Sequence, residues 1–265
     1  MSVLDISAVG MSVVGDWISQ VRDRAGSNSE KSHRRESALE SLPGLLAALA
    51  SRVRRSGLTY LAEPKLASLL ELAIEMEQRR EPGTFVEAGC ALGGSAITLT
   101  ATKSADRAFL VYDVFGMIPA PGELDGEDVH ERYQIISSGQ SAGINGNRYY
   151  GYETDLHAKV TESFHQFGYP VEKNAVSLVK GLVQETLTDD RPVCLAHIDV
   201  DWYDPVMACL ERIVPRLTPH GAIVLDDYLD WSGCLRATDD YFERVGRENF
   251  TFDESAGHLV VRRAR

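Results

Sequence analysis

The sequence lacks a long apolar run, a basic stripe and closely spaced cysteines. No segment approaches the roughly 20 apolar residues of a membrane span, and the first 20 residues have no basic residue that would suit a signal peptide. A net charge of -12, with only short basic runs, argues against nucleic acid as a partner. The four cysteines have no zinc-binding spacing. We therefore expect a cytoplasmic protein with reduced thiols that binds neither membrane nor nucleic acid.

A chain of 265 residues with 44% hydrophobic content can form one large α/β domain with additions. Leucines and alanines recur at three- and four-residue spacing in residues 45–55 and 64–80, which predicts two amphipathic helices. We expect residues 1–80 to form an N-terminal helical extension or lid, and residues 81–265 to form the main domain with an insertion at 116–152.

Apolar runs after residue 80 predict five strands, at 84–89, 108–114, 175–179, 193–200 and 221–227. These runs are too continuously apolar to have a wet face, which is typical of a parallel sheet covered on both sides. Two short strand patterns near the end predict a hairpin with an antiparallel edge strand. The expected fold is a doubly wound, Rossmann-like α/β sheet, mostly parallel, which binds ligands at the carboxyl ends of its strands.

The turn after the first strand reads VEAGCALGGS and contains Glu87, Gly89, Gly93 and Ser95. Its spacing departs from the dinucleotide fingerprint G-x-G-x-x-G, because residue 91 is alanine. The pattern of an acid followed by two spaced glycines resembles the S-adenosylmethionine site of class I methyltransferases. Asp113 ends the second strand, where an acid can accept hydrogen bonds from ribose hydroxyls or can cap a turn.

Four aspartates lie at the ends of the fourth and fifth strands, namely Asp199, Asp201, Asp226 and Asp227. Carboxylates at adjacent strand ends repel one another unless a cation holds them, and an all-oxygen set suits Mg²⁺. The predicted roles are metal ligands and a general base. The alternative is that only one acid is catalytic and the others cap turns. His197 is interpreted as a hydrogen-bonded histidine of the core.

The segments EAGCALGGS, YDVFG, KGLVQETL, HIDVDWYDPVMACLERIVPRLTPHGAIVLDDY and SGCLRATDDYF resemble the macrocin-type family of sugar O-methyltransferases. The resemblance implies methyl transfer from S-adenosylmethionine to a sugar hydroxyl with help from Mg²⁺, in antibiotic biosynthesis. It implies Asp201 and Asp199 as catalytic residues, although in some relatives a histidine is the base. The implied metal ligands are Asp199, Asp226 and Asp227, and the implied cofactor-binding residues are Glu87, Gly89, Gly93, Ser95, Asp113, Gly181 and Asp199.

The chain departs from the family pattern after Asp113, where Ser-Phe-Glu-Gly is replaced by Val-Phe-Gly-Met. The following insertion has glycines and the pair Tyr149-Tyr150, which suit a lid over a sugar or a flexible loop. The family treats nucleotide-sugars such as TDP-rhamnose and sugars already attached to a natural product. A diphosphate would favour basic residues near the site, for which Arg132, Arg148 and Lys180 are the candidates.

Two other functions compete with this interpretation. A nicotinamide-dependent oxidoreductase is suggested by a Tyr-x-x-x-Lys match at Tyr169 to Lys173, but Pro170 prevents these residues from sharing one helical face. A non-catalytic nucleoside-binding protein could use the same fold. The expected partner is a small sugar substrate, and we expect a homo-oligomer.

Overall fold

The computed structural model describes residues 37–264, which form a mixed α/β fold around one seven-stranded sheet. The predicted strands are confirmed, and most of their predicted ends lie within a few residues of the observed ends. The strands are β1 (Thr84–Ala88), β2 (Phe109–Asp113), β3 (Val176–Lys180), β4 (Val193–Ile198), β5 (Leu217–Leu225), β6 (Phe250–Asp253) and β7 (Leu259–Arg263). No helix in this part of the chain is both long and apolar enough to cross a bilayer.

Helices cover both faces of the sheet. The α-helices are α1 (Gly44–Arg55), α2 (Glu63–Arg79), α3 (Gly94–Thr102), α4 (Glu127–Ser137), α5 (Leu156–Gln166), α6 (Val183–Thr186), α7 (Tyr203–Ile213) and α8 (Ser232–Val245). Helices α1 and α2 match the two predicted amphipathic helices. Short 3-10 turns connect several elements and include Tyr150–Tyr152 and Asp226–Leu229.

The strands follow the order β3-β2-β1-β4-β5-β7-β6, and the first five are parallel. Strand β7 is antiparallel to both of its neighbours, β5 and β6. The predicted hairpin is therefore confirmed, but the antiparallel strand is not at the edge. Strand β7 lies between β5 and β6, because one edge of β7 pairs with β6 in the hairpin and its other edge pairs with β5.

Strand β5 begins at Leu217, four residues before the predicted start at Gly221. His220 lies in this early part of the strand, with a φ of 68°. The register between β4 and β5 shifts in this region, between Val193 and Leu195 on β4. Val193 pairs with Leu217 and Leu195 with Ala222, so β5 absorbs three extra residues here without ending the strand.

The sheet separates two apolar cores. One core joins α1, α2 and α3 to side chains such as Phe85 and Phe109, and the other joins α7 and α8 to side chains such as Val86 and Ile198. Successive strand residues point to opposite faces, which explains why both cores draw on the same strands. The described part of the N-terminal extension, from residue 37 to residue 80, thus shares a core with the sheet.

The insertion at 116–152 is built as a packed layer that contains α4 and two short 3-10 turns. Its own apolar cluster joins Ile118, Val129, Ile136 and Tyr149 to Trp202, which lies beside the end of β4. The Trp202 indole N–H also donates a hydrogen bond to the carbonyl of Pro119 over 3.0 Å. The insertion is therefore anchored next to the strand ends that carry the predicted site.

Candidate active site

A cleft with about 700 Å³ of empty space, partly open to solvent, lies at the carboxyl ends of the parallel strands. Five of the predicted site residues line this cleft, namely Gly89, Asp113, Gly181, Asp199 and Asp201. Residues that ended four different strands in the sequence are thus brought together. This position agrees with the rule that open α/β sheets bind ligands beyond the carboxyl ends of their strands.

The glycine-rich turn owes its shape to close contacts with neighbouring elements. Gly89 has a φ of 84°, and a Cβ atom there would lie 1.8 Å from the backbone oxygen of Asp199. Gly93 also has a φ of 84°, and a Cβ atom there would lie 2.9 Å from a methyl group of Val160. Only glycine adopts this backbone conformation at little cost. Gly89 borders the cleft, whereas Gly93 and the buried Ser95 do not line it.

Asp113 holds the glycine-rich turn through its carboxylate. One carboxylate oxygen accepts the backbone N–H groups of Cys90 at 2.8 Å and Ala91 at 3.0 Å, and the other accepts that of Phe115 at 2.6 Å. Burial raises the pKa of Asp113, although these backbone N–H groups oppose the rise. The strand-end acid therefore organises the turn and at the same time borders the cleft, where the sequence predicted a ribose contact.

Glu87 lies in the interior, outside the lining of the cleft. Its Oε1 is 2.8 Å from Nδ1 of His197, and both side chains are fully buried. The expected core histidine is therefore confirmed, and its partner is the residue predicted from the sequence to serve the nucleoside site. The second oxygen of Glu87 and Nε2 of His197 have no hydrogen-bond partner among the described residues.

Three of the four aspartates form a compact group of oxygens. Asp199, Asp226 and Asp227 each offer one carboxylate oxygen, and these oxygens lie within 4.8 Å of one another. Burial, and then the charges of the neighbouring carboxylates, raise the pKa values of Asp199 and Asp227 well above their ordinary range. A divalent cation would relieve this repulsion, and oxygen is the donor that Mg²⁺ prefers.

Asp226 differs from the other two because a lysine and a histidine lie beside it. Lys65 on α2 lies 3.2 Å from its Oδ2, and Nδ1 of His258 lies 3.7 Å from its Oδ1. Burial alone would raise the pKa of Asp226, but the His258 ring, the charge of His197 and the Lys65 ammonium outweigh burial and lower it. Asp226 is therefore an ionised ligand candidate. Its Oδ1 is buried and makes no hydrogen bond within residues 37–264.

Asp201 lies beside this group, in a backbone conformation with a φ of 57°. Its backbone N–H donates to a carboxylate oxygen of Asp227 over 3.2 Å, which ties the end of β4 to the end of β5. Burial and the charge of Asp226 raise the pKa of Asp201 to about 7, against the lowering effect of Arg132. A carboxylate with a pKa near neutrality suits a general base.

The insertion is attached to the site by two carboxylates at helix starts. Asp125 accepts the backbone N–H of Tyr203 at 2.8 Å, at the start of α7. Asp128 accepts the backbone N–H of Ser232 at 3.0 Å, at the start of α8. Negative charge at a helix N-terminus is favourable, because the first backbone N–H groups point outward. Asp204 lies in the first turn of α7 and adds a further negative charge there.

An aromatic group lies beside the cleft, and one of its members, Tyr150, lines it. The rings of Tyr149 and Tyr150 lie 4.5 Å apart, and Tyr60, from the α1–α2 connection, meets Tyr150 edge-on at 5.9 Å. The Arg132 guanidinium lies 5.9 Å from the centre of the Tyr149 ring. Arg132 makes no hydrogen bond or ion pair with any other residue in the described range. Tyr60 is 48% exposed.

Several residues of the cleft were not predicted. Tyr112, Leu182, Val183 and Gln184 lie directly around the ends of β2 and β3 and line the cleft. Their signal in the sequence was their position next to predicted strand ends, because β3 pairs with β2 in parallel. Lys65, by contrast, had no such signal, since it lies on a helix far from the strand ends in the sequence.

The family model described as macrocin-O-methyltransferase (TylF) matches residues 32–250 of the chain. The 8-demethyl-8-(2,3-dimethoxy-alpha-L-rhamnosyl)-tetracenomycin-C 4'-O-methyltransferase of Streptomyces olivaceus is 28% identical over 171 residues, which cover 62% of this chain and 60% of that enzyme. The demethyldecarbamoylnovobiocin O-methyltransferase of Streptomyces niveus is 24% identical over 195 residues, which cover 69% and 67% of the two chains. The matches thus span about two thirds or less of these relatives' lengths.

Among solved structures, the O-methyltransferase NovP is similar to this chain with a TM-score of 0.65 and 21% identity. The similarity covers 78% of this chain and 83% of NovP. At this level of identity the likeness establishes the fold.

Proposed function

Because the chain belongs to the macrocin O-methyltransferase family, we propose that it transfers a methyl group from S-adenosylmethionine to a sugar hydroxyl with the help of Mg²⁺. One observation carries the proposal. The cleft that borders the glycine-rich turn also contains Asp199 and Asp201, and the oxygens of Asp199, Asp226 and Asp227 converge within 4.8 Å. A cofactor region and an acidic, cation-compatible region therefore adjoin each other.

S-adenosylmethionine is proposed to bind along the ends of β1, β2 and β3. Gly89 and Asp113 both line the cleft. Gly89 would allow close approach of the backbone, and Asp113, at the end of β2, would contact the ribose. One oxygen of Asp113 carries a single hydrogen bond, so it retains a lone pair that can accept a ribose hydroxyl. Gly181 and Leu182 border the same cleft, beyond β3, on the side where the adenine would lie.

The acidic group fits Mg²⁺ by its chemistry. Its donors are all carboxylate oxygens, and Oδ1 of Asp226 is buried with no hydrogen-bond partner in the described chain. Asp199, Asp226 and Asp227 would hold the ion, and Mg²⁺ bound there supplies Lewis-acid chemistry that makes a nearby alcohol more acidic. The protein's own contribution is to hold these carboxylates together at the strand ends.

Asp201 is proposed as the general base. A sugar hydroxyl is a weak acid at neutral pH, so its proton must be removed as its oxygen attacks the sulfonium methyl. The carboxylate of Asp201 takes that proton, the new C–O bond forms, and the bond from sulfur to the methyl carbon breaks to leave S-adenosylhomocysteine. Alignment of the oxygen with the methyl group supplies much of the remaining rate. No histidine lines the cleft within the described residues, which favours Asp201 over a histidine base.

The acceptor is proposed to lie against the aromatic group of Tyr60, Tyr149 and Tyr150. Aromatic faces suit the apolar faces of sugar rings, and Arg132 offers donors to an anionic group such as the diphosphate of a nucleotide-sugar. We therefore propose a nucleotide-sugar such as TDP-rhamnose, with a glycosylated natural product as the second candidate. The two Streptomyces relatives, an O-methyltransferase of a rhamnosyl tetracenomycin and a demethyldecarbamoylnovobiocin O-methyltransferase, support this second candidate.

The test is S-adenosylhomocysteine release from a panel of nucleotide-sugars and glycosides, before and after removal of divalent cations with a chelator. We expect turnover that is lost on chelation and restored by Mg²⁺. Asp226→Asn should lower turnover by about 10²-fold or more. The matched control Asp106→Asn changes an exposed acid in the loop before β2 and should leave turnover unchanged. Turnover that persists after chelation would remove the metal from the proposal. Binding of S-adenosylmethionine without turnover of any acceptor would favour a non-catalytic protein.

A further inference from the structure

Lys65 is the only lysine or arginine in residues 37–264 that pairs with the acidic group at the strand ends. Its ammonium nitrogen lies 3.2 Å from Oδ2 of Asp226, 2.9 Å from the Asp226 carbonyl oxygen and 2.7 Å from Oδ2 of Asp230. Its side chain is 13% exposed. An ammonium has three N–H groups, so one that donates to three oxygens of this turn is fully committed to it.

The two oxygens of the Asp226 carboxylate have different surroundings. Oδ2 is held by Lys65, whereas Oδ1 is buried without a hydrogen-bond partner in the described chain. Oδ1 lies 3.7 Å from Nδ1 of His258, whose other ring nitrogen is 3.0 Å from the Ser68 hydroxyl on α2. Helix α2 therefore contacts this proposed metal ligand directly through Lys65. It also contacts it indirectly, because Ser68 on α2 bonds the His258 ring that lies beside Oδ1.

A buried carboxylate is costly unless an opposite charge accompanies it. In the metal-free protein, Lys65 supplies that charge to Asp226. A divalent cation held by Asp199, Asp226 and Asp227 would be a second positive charge beside the Asp226 carboxylate. The cation and the Lys65 ammonium would then repel each other over a short distance. Lys65 is therefore expected to stabilise the metal-free protein more than the metal-bound protein.

We propose that Lys65 is a built-in counter-cation for Asp226, which holds this ligand in place before metal binding and lowers the affinity of the site for a divalent cation. This inference rests on the proposed function, because it assumes that Asp226 is a metal ligand. It assigns the N-terminal helix α2 a positioning role in the site, through a residue that lies 161 positions before the ligand.

The test is calorimetric titration of chelator-treated protein with Mg²⁺, together with thermal unfolding with and without saturating Mg²⁺. Lys65→Met removes the charge and keeps a good helix former of similar length. We expect its dissociation constant for Mg²⁺ to fall at least about tenfold, which is 1.4 kcal/mol. Its unfolding temperature should be below that of the wild type without Mg²⁺, and saturating Mg²⁺ should recover most of the loss.

Two variants separate charge from simple attachment of the helix. Lys65→Arg keeps the charge and should bind Mg²⁺ with near wild-type affinity. Asp230→Asn weakens the other side-chain contact of Lys65 at a residue that is 54% exposed on its side chain, and leaves the Asp226 pair intact. It should also bind Mg²⁺ like the wild type. If Lys65 only attaches α2 to the turn, Lys65→Met and Asp230→Asn will lose stability alike, with and without Mg²⁺.

The outcomes distinguish this inference from the proposed function. If the wild type binds no Mg²⁺, the metal site itself is wrong. If the wild type binds Mg²⁺ and Lys65→Met binds it equally or more weakly, the counter-cation role is wrong and the metal site stands. Should Lys65→Met not fold without metal, Lys65→Gln serves as a second neutral variant. Failure of both to fold in saturating Mg²⁺ would also overturn the role, since the bound cation should replace the lost charge.

Discussion

Replacing Gly89 with alanine should both destabilise the protein and weaken cofactor binding. The φ of 84° costs an L-residue about 1–2 kcal/mol. In addition, the new Cβ would lie 1.8 Å from the backbone oxygen of Asp199, whereas real Cβ contacts are not shorter than 3.0 Å. The ends of β1 and β4 would therefore have to separate by about 1.2 Å, and overpacking of this kind costs about 1–3 kcal/mol. The expected total is about 2–5 kcal/mol.

Gly139 provides the matched control, because it has a φ of 78° but no atom within 4 Å of a Cβ placed there. Gly139→Ala should therefore be destabilised by the backbone conformation alone, without a steric clash. Urea unfolding followed by circular dichroism measures both losses, and titration with S-adenosylhomocysteine measures binding. We expect Gly89→Ala to lose more stability than Gly139→Ala and to bind at least about tenfold more weakly. Equal losses in the two variants, with unchanged binding, would refute the argument from close approach.

Three further perturbations test other parts of the structure. Asp201→Asn should lower kcat by about 10²-fold or more while S-adenosylhomocysteine affinity stays within about twofold, because the lost group is the proposed proton acceptor; a comparable loss of affinity would show a binding role instead. Burial lowers the pKa of Lys103 from 10.5 to about 8, so the folded state releases its proton more readily than the unfolded state. Lys103→Met removes this charge together with the hydrogen bonds from the ammonium to the carbonyls of Ser104 and Asn174. Its stability relative to the wild type should therefore be highest below pH 8 and should fall, by at most about 3 kcal/mol before solvent screening, between pH 8 and 10.5 in urea titrations; a pH-independent difference would contradict this reasoning. Asp125→Ala removes the acceptor for the Tyr203 N–H and should cost about 1–2 kcal/mol and speed proteolysis of the insertion; unchanged proteolysis would mean that other contacts anchor it.

The strands and the convergence of the acids could be predicted because both follow from local patterns. Continuous apolar runs marked the five parallel strands, and parallel strands end at one edge of a sheet. Asp199, Asp226 and Asp227 were therefore expected together, and their oxygens do lie within 4.8 Å. The pairing of the last hairpin was harder to predict. The position of β7 between β5 and β6 depends on which side of the hairpin meets the sheet, which strand patterns do not encode.

The sequence did not predict which side chains from distant parts of the chain would contact one another. Glu87 sits opposite His197 because β1 and β4 are neighbours in register, so the acid of the glycine-rich motif is used inside the core. The carboxylate of Asp113 holds backbone N–H groups of the adjacent turn. Each motif was recognised in the sequence, but the direction of each side chain depended on a neighbouring element.

The sequence by itself determined the fold class, the family resemblance and the set of acids at the strand ends, because periodicity and short motifs are properties of adjacent residues. Only the tertiary structure decided what surrounds those acids. Lys65 reaches Asp226 from helix α2, His258 reaches it from the bend before β7, and Asp125 reaches the start of α7 from the insertion. The physical reason is that the electrostatics of a buried carboxylate depend on distance in space, and the packing of α2, β7 and the insertion against the sheet sets those distances.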